Sequence, residues 1–356
     1  MVTRKFDVAI IGAGAAGLAT ARALSRSGRS VVALEQFDLG HNRGSSHGTS
    51  RIFRLAYEDP EYVAMAKAAL PLWRELERES GLELLTTTGA LDVGGNLASF
   101  RAALAANGVA AEILTRDEVR RRYPRLHLPE DEALFQADGG IARPDRSTEA
   151  LVRSARAHGA EIREQAQVRG LEADDEGVRV ATADGLVEAG TVVVAAGAWS
   201  AGLLRPLGIE LTAGVTRETV VHFRLDGPNG IPTVIDRTLS SAVNGSREAY
   251  ALPSPGIGIK AGIHRSGRPT DPDTDGTADD KVIEAARAWV AERYELVEPG
   301  PALVETCLYT TTPDERFVLE RHGRVVVCSA CSGHGYKFTP EIGRRAAALA
   351  DEALAH

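Results

Sequence analysis

Basic charge is in short supply: 41 lysines and arginines face 49 aspartates and glutamates, leaving a formal charge of −8 over 356 residues. Nucleic acids and anionic membrane surfaces attract a net basic face, so neither is expected as a partner. Only three cysteines occur, an odd number in a long chain, which argues against a disulfide framework and for a reducing compartment. No apolar run reaches the roughly 18 residues that a membrane span needs. The N-terminus runs from Met1 straight into a strand-like segment with no leader pattern, so the expected location is the cytoplasm. Repeats and low-complexity tracts are missing too, which excludes a solenoid.

Metal-ligand sets are equally scarce. Asp271-Pro272-Asp273-Thr274-Asp275-Gly276 begins like a calcium loop, yet the closing acid would fall at Val282. Cys328 and Cys331 have CxxC spacing with His334 nearby, but no second ligand pair completes a zinc set. No metal site is expected. What is present is ordinary globular composition, 44% hydrophobic and 25% charged, in a chain long enough for about two domains.

The first 35 residues carry the clearest pattern. An apolar run from Phe6 to Ile11 leads into Gly12-Ala13-Gly14-Ala15-Ala16-Gly17, a helix-forming stretch from Ala15 to Ser27 follows, and Val31-Val32-Ala33-Leu34 ends in Glu35. This is a βαβ unit of dinucleotide-binding type. Gly12, Gly14 and Gly17 let the backbone turn and approach a pyrophosphate, whose charge faces the helix N-terminus. Glu35 is placed to accept hydrogen bonds from ribose hydroxyls.

Two more apolar strands are expected, at Thr191-Val192-Val193-Val194 and at Val325-Val326-Val327-Cys328; the latter leads to a helix from about Glu341 onward. The α/β fold is therefore read as a discontinuous Rossmann-like domain over 1–85, 145–215 and 305–356. Residues 86–144 and 216–304 carry alternating patterns, such as Ala90-Leu91-Asp92-Val93 and Thr219-Val220-Val221-His222-Phe223, and are assigned to a mainly antiparallel substrate domain.

His41-Asn42-Arg43-Gly44-Ser45-Ser46-His47-Gly48-Thr49-Ser50-Arg51-Ile52-Phe53-Arg54 concentrates basic side chains in an acidic protein, forming a positive pocket just after Glu35. Gly44-Ser45-Ser46-His47-Gly48 also fits GxSxG, but a nucleophile elbow follows a strand directly and here the strand ends near Glu35.

These segments, together with Tyr250-Ala251-Leu252-Pro253, Lys260-Ala261-Gly262-Ile263-His264, Cys307-Leu308-Tyr309-Thr310 and Ser332-Gly333-His334-Gly335-Tyr336-Lys337-Phe338, stand in one order along the chain. In that order the chain resembles the monomeric sarcosine oxidase and N-methyltryptophan oxidase family over its full length. The resemblance implies FAD, attached by a thioether from Cys307, and oxidation of an N-methyl or cyclic amino acid with O2 to an imine and hydrogen peroxide. It also implies a monomer. Cofactor contacts fall on Gly12, Gly14, Gly17, Glu35, Ser45, His47, Cys307, Gly333 and Lys337. Arg54 and Lys337 match the pair that binds the substrate carboxylate, a role suited to a guanidinium fork beside a point charge. Lys260 matches the lysine where oxygen is reduced. His264, Tyr250 and Tyr309 match polar residues of the substrate cavity, and Arg51 stands beside the flavin face. Thr49-Ser50 replaces the family's usual Asp-Thr, and the loop between Tyr250 and Lys260 is one residue shorter. Both departures touch the substrate side, so pipecolate, proline and fructosyl amino acids stay open as substrates. A dehydrogenase passing electrons to a protein acceptor is the competing reading.

Overall fold

The βαβ unit forms because its glycines permit what other residues would not. The computed structural model describes residues 5–225 and 230–355. Strand Lys5–Ile11 turns at Gly12, whose φ is +95°, and helix Ala15–Arg26 starts at once. A Cβ on Gly17 would lie 1.9 Å from the Gly12 carbonyl oxygen, so only glycine lets the helix close on the turn.

Strand Lys5–Ile11 is central in an eight-stranded sheet. It pairs in parallel with Gly185–Val194 on one side, Val8 opposite Thr191, and with Val31–Leu34 on the other. Val325–Ser329 runs parallel to Gly185–Val194, with Val192 opposite Val325. Helices Ala15–Arg26, Pro60–Ser80, Pro144–Ala157 and Thr339–Leu354 share one apolar core with this sheet, which includes Leu18, Trp73, Leu151 and Ile342. The three separated apolar runs thus meet in one sheet, as their composition implied.

The second sheet has nine strands and is largely antiparallel; Thr233–Asp236 and Ala90–Val93 make a parallel exception. Its two faces have different fates. Val221, Phe223, Ile259, Ala261 and Ala251 pack under helix Asp280–Arg293, through Val282, Ala286 and Trp289. The alternate residues Val220, Lys260, Tyr250 and Leu252 face a cavity instead. A three-stranded sheet, Arg51–Phe53 with Gly140–Ala142 and Leu85–Thr87, carries Arg51 to the cavity wall.

The divisions read from sequence at 215/216 and 304/305 both fall inside strands, Gly214–Arg224 and Pro301–Thr311. These strands pair antiparallel along most of their length, and Cys307 lies opposite Glu218. Cys307 therefore stands on the nine-stranded sheet, not with the dinucleotide half to which its sequence position assigned it. Within 86–144, helix Leu97–Ala106 buries Phe100, Ala103 and Leu104 in the core of the first sheet. The calcium-like segment is a turn whose Asp273 carboxylate accepts from the Trp199 indole at 2.7 Å. Among the described residues, no helix is long and apolar enough to cross a membrane.

Candidate active site

One cavity of about 1290 Å³ runs from the glycine turn to the nine-stranded sheet. Gly12, Gly14 and Glu35 line one end, and Arg54, His264 and Lys337 line another stretch of the same wall. Lys260, Tyr250, Cys307 and Tyr309 also line it. Of the residues singled out by sequence, Gly17 and His47 are the two outside the lining.

The turn end is built to receive a dinucleotide. Gly14, at the N-cap of the first helix, has no side chain to bond the first-turn amides itself. Glu35 is buried, and its carboxylate accepts from the Ala13 amide at 2.8 Å and the Phe37 amide at 3.1 Å. Those bonds fix the carboxylate at the lip of the cavity. Ser45 donates to the Leu308 carbonyl, which ties the basic loop to the strand of Cys307. The same loop supplies Ser46, whose hydroxyl accepts from the Ala15 amide at 3.1 Å, so the GxSxG serine caps the turn.

Three buried polar atoms in this region have no protein partner: His47 Nε2, Ser50 Oγ and Thr310 Oγ1. Buried polar groups are nearly always satisfied, so the orphaned hydroxyl of Ser50, which lines the cavity, fits a polar ligand there such as a flavin. Burial, then Arg51 and Lys260, push His47 down to about 4, so its ring is neutral and able to bond such a ligand.

Cys307 is buried on the cavity face. Burial raises its thiol, while Arg51 and Lys260 pull in the opposite direction. Tyr309, two residues on, shares that face, and its ring lies tilted against His264 at 5.8 Å. Gly333 has φ +74°, and a Cβ there would sit 2.3 Å from the Tyr309 ring and 2.8 Å from His264. Its backbone approaches both rings because it lacks a side chain. Burial raises Tyr250 and Tyr309, so both remain hydroxyl donors. His264 is lowered by burial despite Glu248.

The cations are held firmly. Arg54 Nη1 donates to the Ala56 carbonyl and lies 3.1 Å from Asp92. Burial works against its charge, and Asp92, helped by Tyr57 and Glu248, more than restores it. Lys337 Nζ donates to the His334 carbonyl at 2.6 Å and to the Tyr57 hydroxyl at 2.8 Å. Both cations face the Tyr57 ring, Arg54 at 4.7 Å and Lys337 at 5.4 Å. Lys337 is pushed well below its ordinary value by burial and then by Arg54. An arriving carboxylate would add counter-charge and favour its charged form. Lys260 Nζ donates to the Ser50 carbonyl at 3.0 Å, in the middle of the cavity wall.

Sequence reasoning missed Tyr57, Asp92 and Arg237. Asp92 is fully buried between Arg54 and Arg237, at 3.1 and 3.0 Å, and Gln136 donates to it at 3.3 Å. An acid inside an apolar strand was the available signal. Tyr57 lies outside every quoted segment.

Residues 7–349 match the family described as FAD dependent oxidoreductase. The chain is 35% identical to monomeric sarcosine oxidase of Streptomyces avermitilis, covering 97% of this chain and 93% of that protein. It is 33% identical to human peroxisomal sarcosine oxidase, covering 95% and 90%. With N-methyl-L-tryptophan oxidase of Salmonella dublin the identity is 28%, over 97% and 95%. Among solved structures, the open form of NikD, an amino acid oxidase essential for nikkomycin biosynthesis, superposes with a TM-score of 0.88 at 29% identity, covering 98% of this chain and 95% of that one.

Proposed function

We propose, from the premise that the chain belongs to the FAD dependent oxidoreductase family, that it is an oxidase of secondary amino acids, sarcosine or another N-methyl amino acid. The observation that carries this reading is the pairing of two buried cations, Arg54 and Lys337, in the cavity that also holds the glycine turn and Cys307. Such a pair suits the carboxylate of an amino acid. Bound FAD would take a hydride from the substrate and pass the electrons to O2. The substrate loses two electrons and two protons, O2 gains them as H2O2, and water converts the imine to a primary amine and a carbonyl compound.

The side chains divide the work. Gly12, Gly14, Glu35, Ser45 and His47 hold the cofactor, with Cys307 bonded to it. Arg54 and Lys337 fix the carboxylate. Tyr250, His264 and Tyr309 line the amine side without a strong positive charge of their own, which suits a neutral amine. Lys260 and Arg51 keep the region electropositive where oxygen is reduced. The enzyme acts as a monomer, a reading supported by the monomeric sarcosine oxidases among its relatives.

Anaerobic mixing of the holoenzyme with sarcosine, N-methyltryptophan, proline and pipecolate should bleach the flavin with at least one N-methyl amino acid, and air should then yield one H2O2 per substrate. Bleaching by none of them sinks the reading; bleaching by the cyclic pair alone reassigns the substrate. A second expectation concerns Cys307. Acid-precipitated holoenzyme should stay yellow, whereas Cys307→Ser should release all its flavin to the supernatant. Complete release from the unaltered protein would remove the thioether.

A further inference from the structure

Beside Lys260, on the cavity face of the nine-stranded sheet, runs a hydrogen-bonded row that the chemistry above leaves unused. His222 lies directly opposite Lys260 across the pairing of Gly214–Arg224 with Gly258–Ile263. On the other flank of that central strand, Glu305 lies opposite Val220. Side chains alternate along strands, so His222, Val220, Lys260 and Glu305 project to one face. His222 is 2% exposed and uses both ring nitrogens, Nε2 at 2.8 Å from Glu305 Oε2 and Nδ1 at 2.8 Å from Ser254 Oγ. A carboxylate only accepts, so Nε2 bears the hydrogen, and in the neutral ring Nδ1 accepts from the serine hydroxyl.

The composition is that of a hydrolase triad, but Ser254 is 2% exposed and does not line the cavity. No acyl group can reach it. The end of the row that matters is the carboxylate. Around Lys260, the loop and strand ahead contribute His47 and Arg51, and the Cys307 strand contributes Cys307 and Glu305. His222 faces it from the central strand, and Leu252 lies opposite it on the remaining neighbour. Its one hydrogen bond goes to a neutral carbonyl, that of Ser50. Cys307 loses its ionisable hydrogen once it is a thioether. Of the groups acting on Lys260, Glu305 is then the anion left to offset Arg51 there.

We infer that Glu305, locked by His222 with Ser254 fixing the ring, is the positioning residue that keeps Lys260 protonated where oxygen is reduced. The inference rests on the reading of Lys260 as the oxygen site. Charge balance points the same way. Burial, then Arg51, bring Lys260 down to about 7, and the Cys307 thiol and, after it, Glu305 oppose them. Glu305 itself is held at about 2, first by the hydrogen bond from His222, so it is an anion throughout the working range.

The chain has five lysines, Lys5, Lys67, Lys260, Lys281 and Lys337, so lysine-selective carbon-13 labelling of the holoenzyme can follow Lys260 by itself, with Lys260→Met as the assignment. Glu305→Gln keeps the shape and a bond to His222 while removing the charge. The Lys260 titration should fall by about one pH unit. The alkaline limb of flavin reoxidation by O2 should shift down by the same amount, making it about tenfold slower there, with anaerobic reduction unchanged. His222→Gln, which loosens the carboxylate without removing it, should shift both readouts in the same direction by less, and serves if Glu305→Gln does not fold. A Lys260 titration unmoved in these variants overturns the inference even where Lys260→Met slows reoxidation. Wild-type reoxidation in Lys260→Met sinks the oxygen-site reading instead, and the role given to Glu305 with it.

Discussion

Lys260→Met is expected to slow reoxidation of the reduced enzyme by roughly 10²–10³-fold, while anaerobic reduction by substrate stays near the wild-type rate. The asymmetry follows from where the charge sits. Lys260 is 5% exposed on an interior strand of the nine-stranded sheet, and its Nζ is pinned by the Ser50 carbonyl. A cation fixed before the reaction stabilises negative charge developing on oxygen without reorganisation. The substrate's carboxylate, by contrast, meets Arg54 and Lys337, which this change leaves intact. Methionine fills nearly the same volume, so packing is conserved and the lost property is charge. Stopped-flow measurement of each half-reaction decides the matter; equal slowing of both would count against the assignment.

Removal of Asp92 should produce the largest loss of stability of any single change in the site. Asp92→Ala leaves Arg54 and Arg237 buried with no carboxylate between them, and breaking a buried ion pair from one side costs about 3–5 kcal/mol. Arg237 keeps a second carboxylate partner in Glu248 at 2.9 Å, whereas Arg54 keeps the Ala56 carbonyl and the Tyr57 ring. Arg54 should therefore be the cation that moves, and carboxylate inhibitors should bind more weakly as a result. Urea unfolding of the variant, with and without a saturating carboxylate ligand, measures both effects. The ligand should recover part of the loss by replacing the missing anion. A midpoint unchanged from wild type would mean that Asp92 is not the counter-ion.

The parallel sheet was legible because its strands are buried on both faces and read as unbroken apolar runs, Val192 to Val194 and Val325 to Val327. The basic loop and the Cys307, Lys260 and Lys337 segments could be quoted from sequence, and all contribute to one cavity wall. Asp92 and His222 were not legible as site residues, for a specific reason. Alternation in an antiparallel sheet ordinarily means core on one side and solvent on the other. The nine-stranded sheet has a core on one face and a cavity on the other, so its polar alternates point inward. Asp92 and His222 are accordingly as buried as their apolar neighbours Leu91 and Val221. The misplaced domain edges have the same origin. Pro301–Thr311 precedes the last strand of the first sheet in sequence but pairs across the molecule with Gly214–Arg224.

The pairings of the first sheet also dictate when a cofactor can arrive. Val8 meets Thr191, and Val192 meets Val325, so the parallel centre of the sheet closes only after most of the chain has left the ribosome. Contacts of such long sequence separation form slowly, because the intervening loop must close before any pairing rewards it. A partly synthesised chain offers the glycine turn but neither Lys260 nor Cys307. A dinucleotide site complete in all its walls should therefore form late in synthesis, and until then the apolar edge beside Lys5–Ile11 is open to the wrong partners.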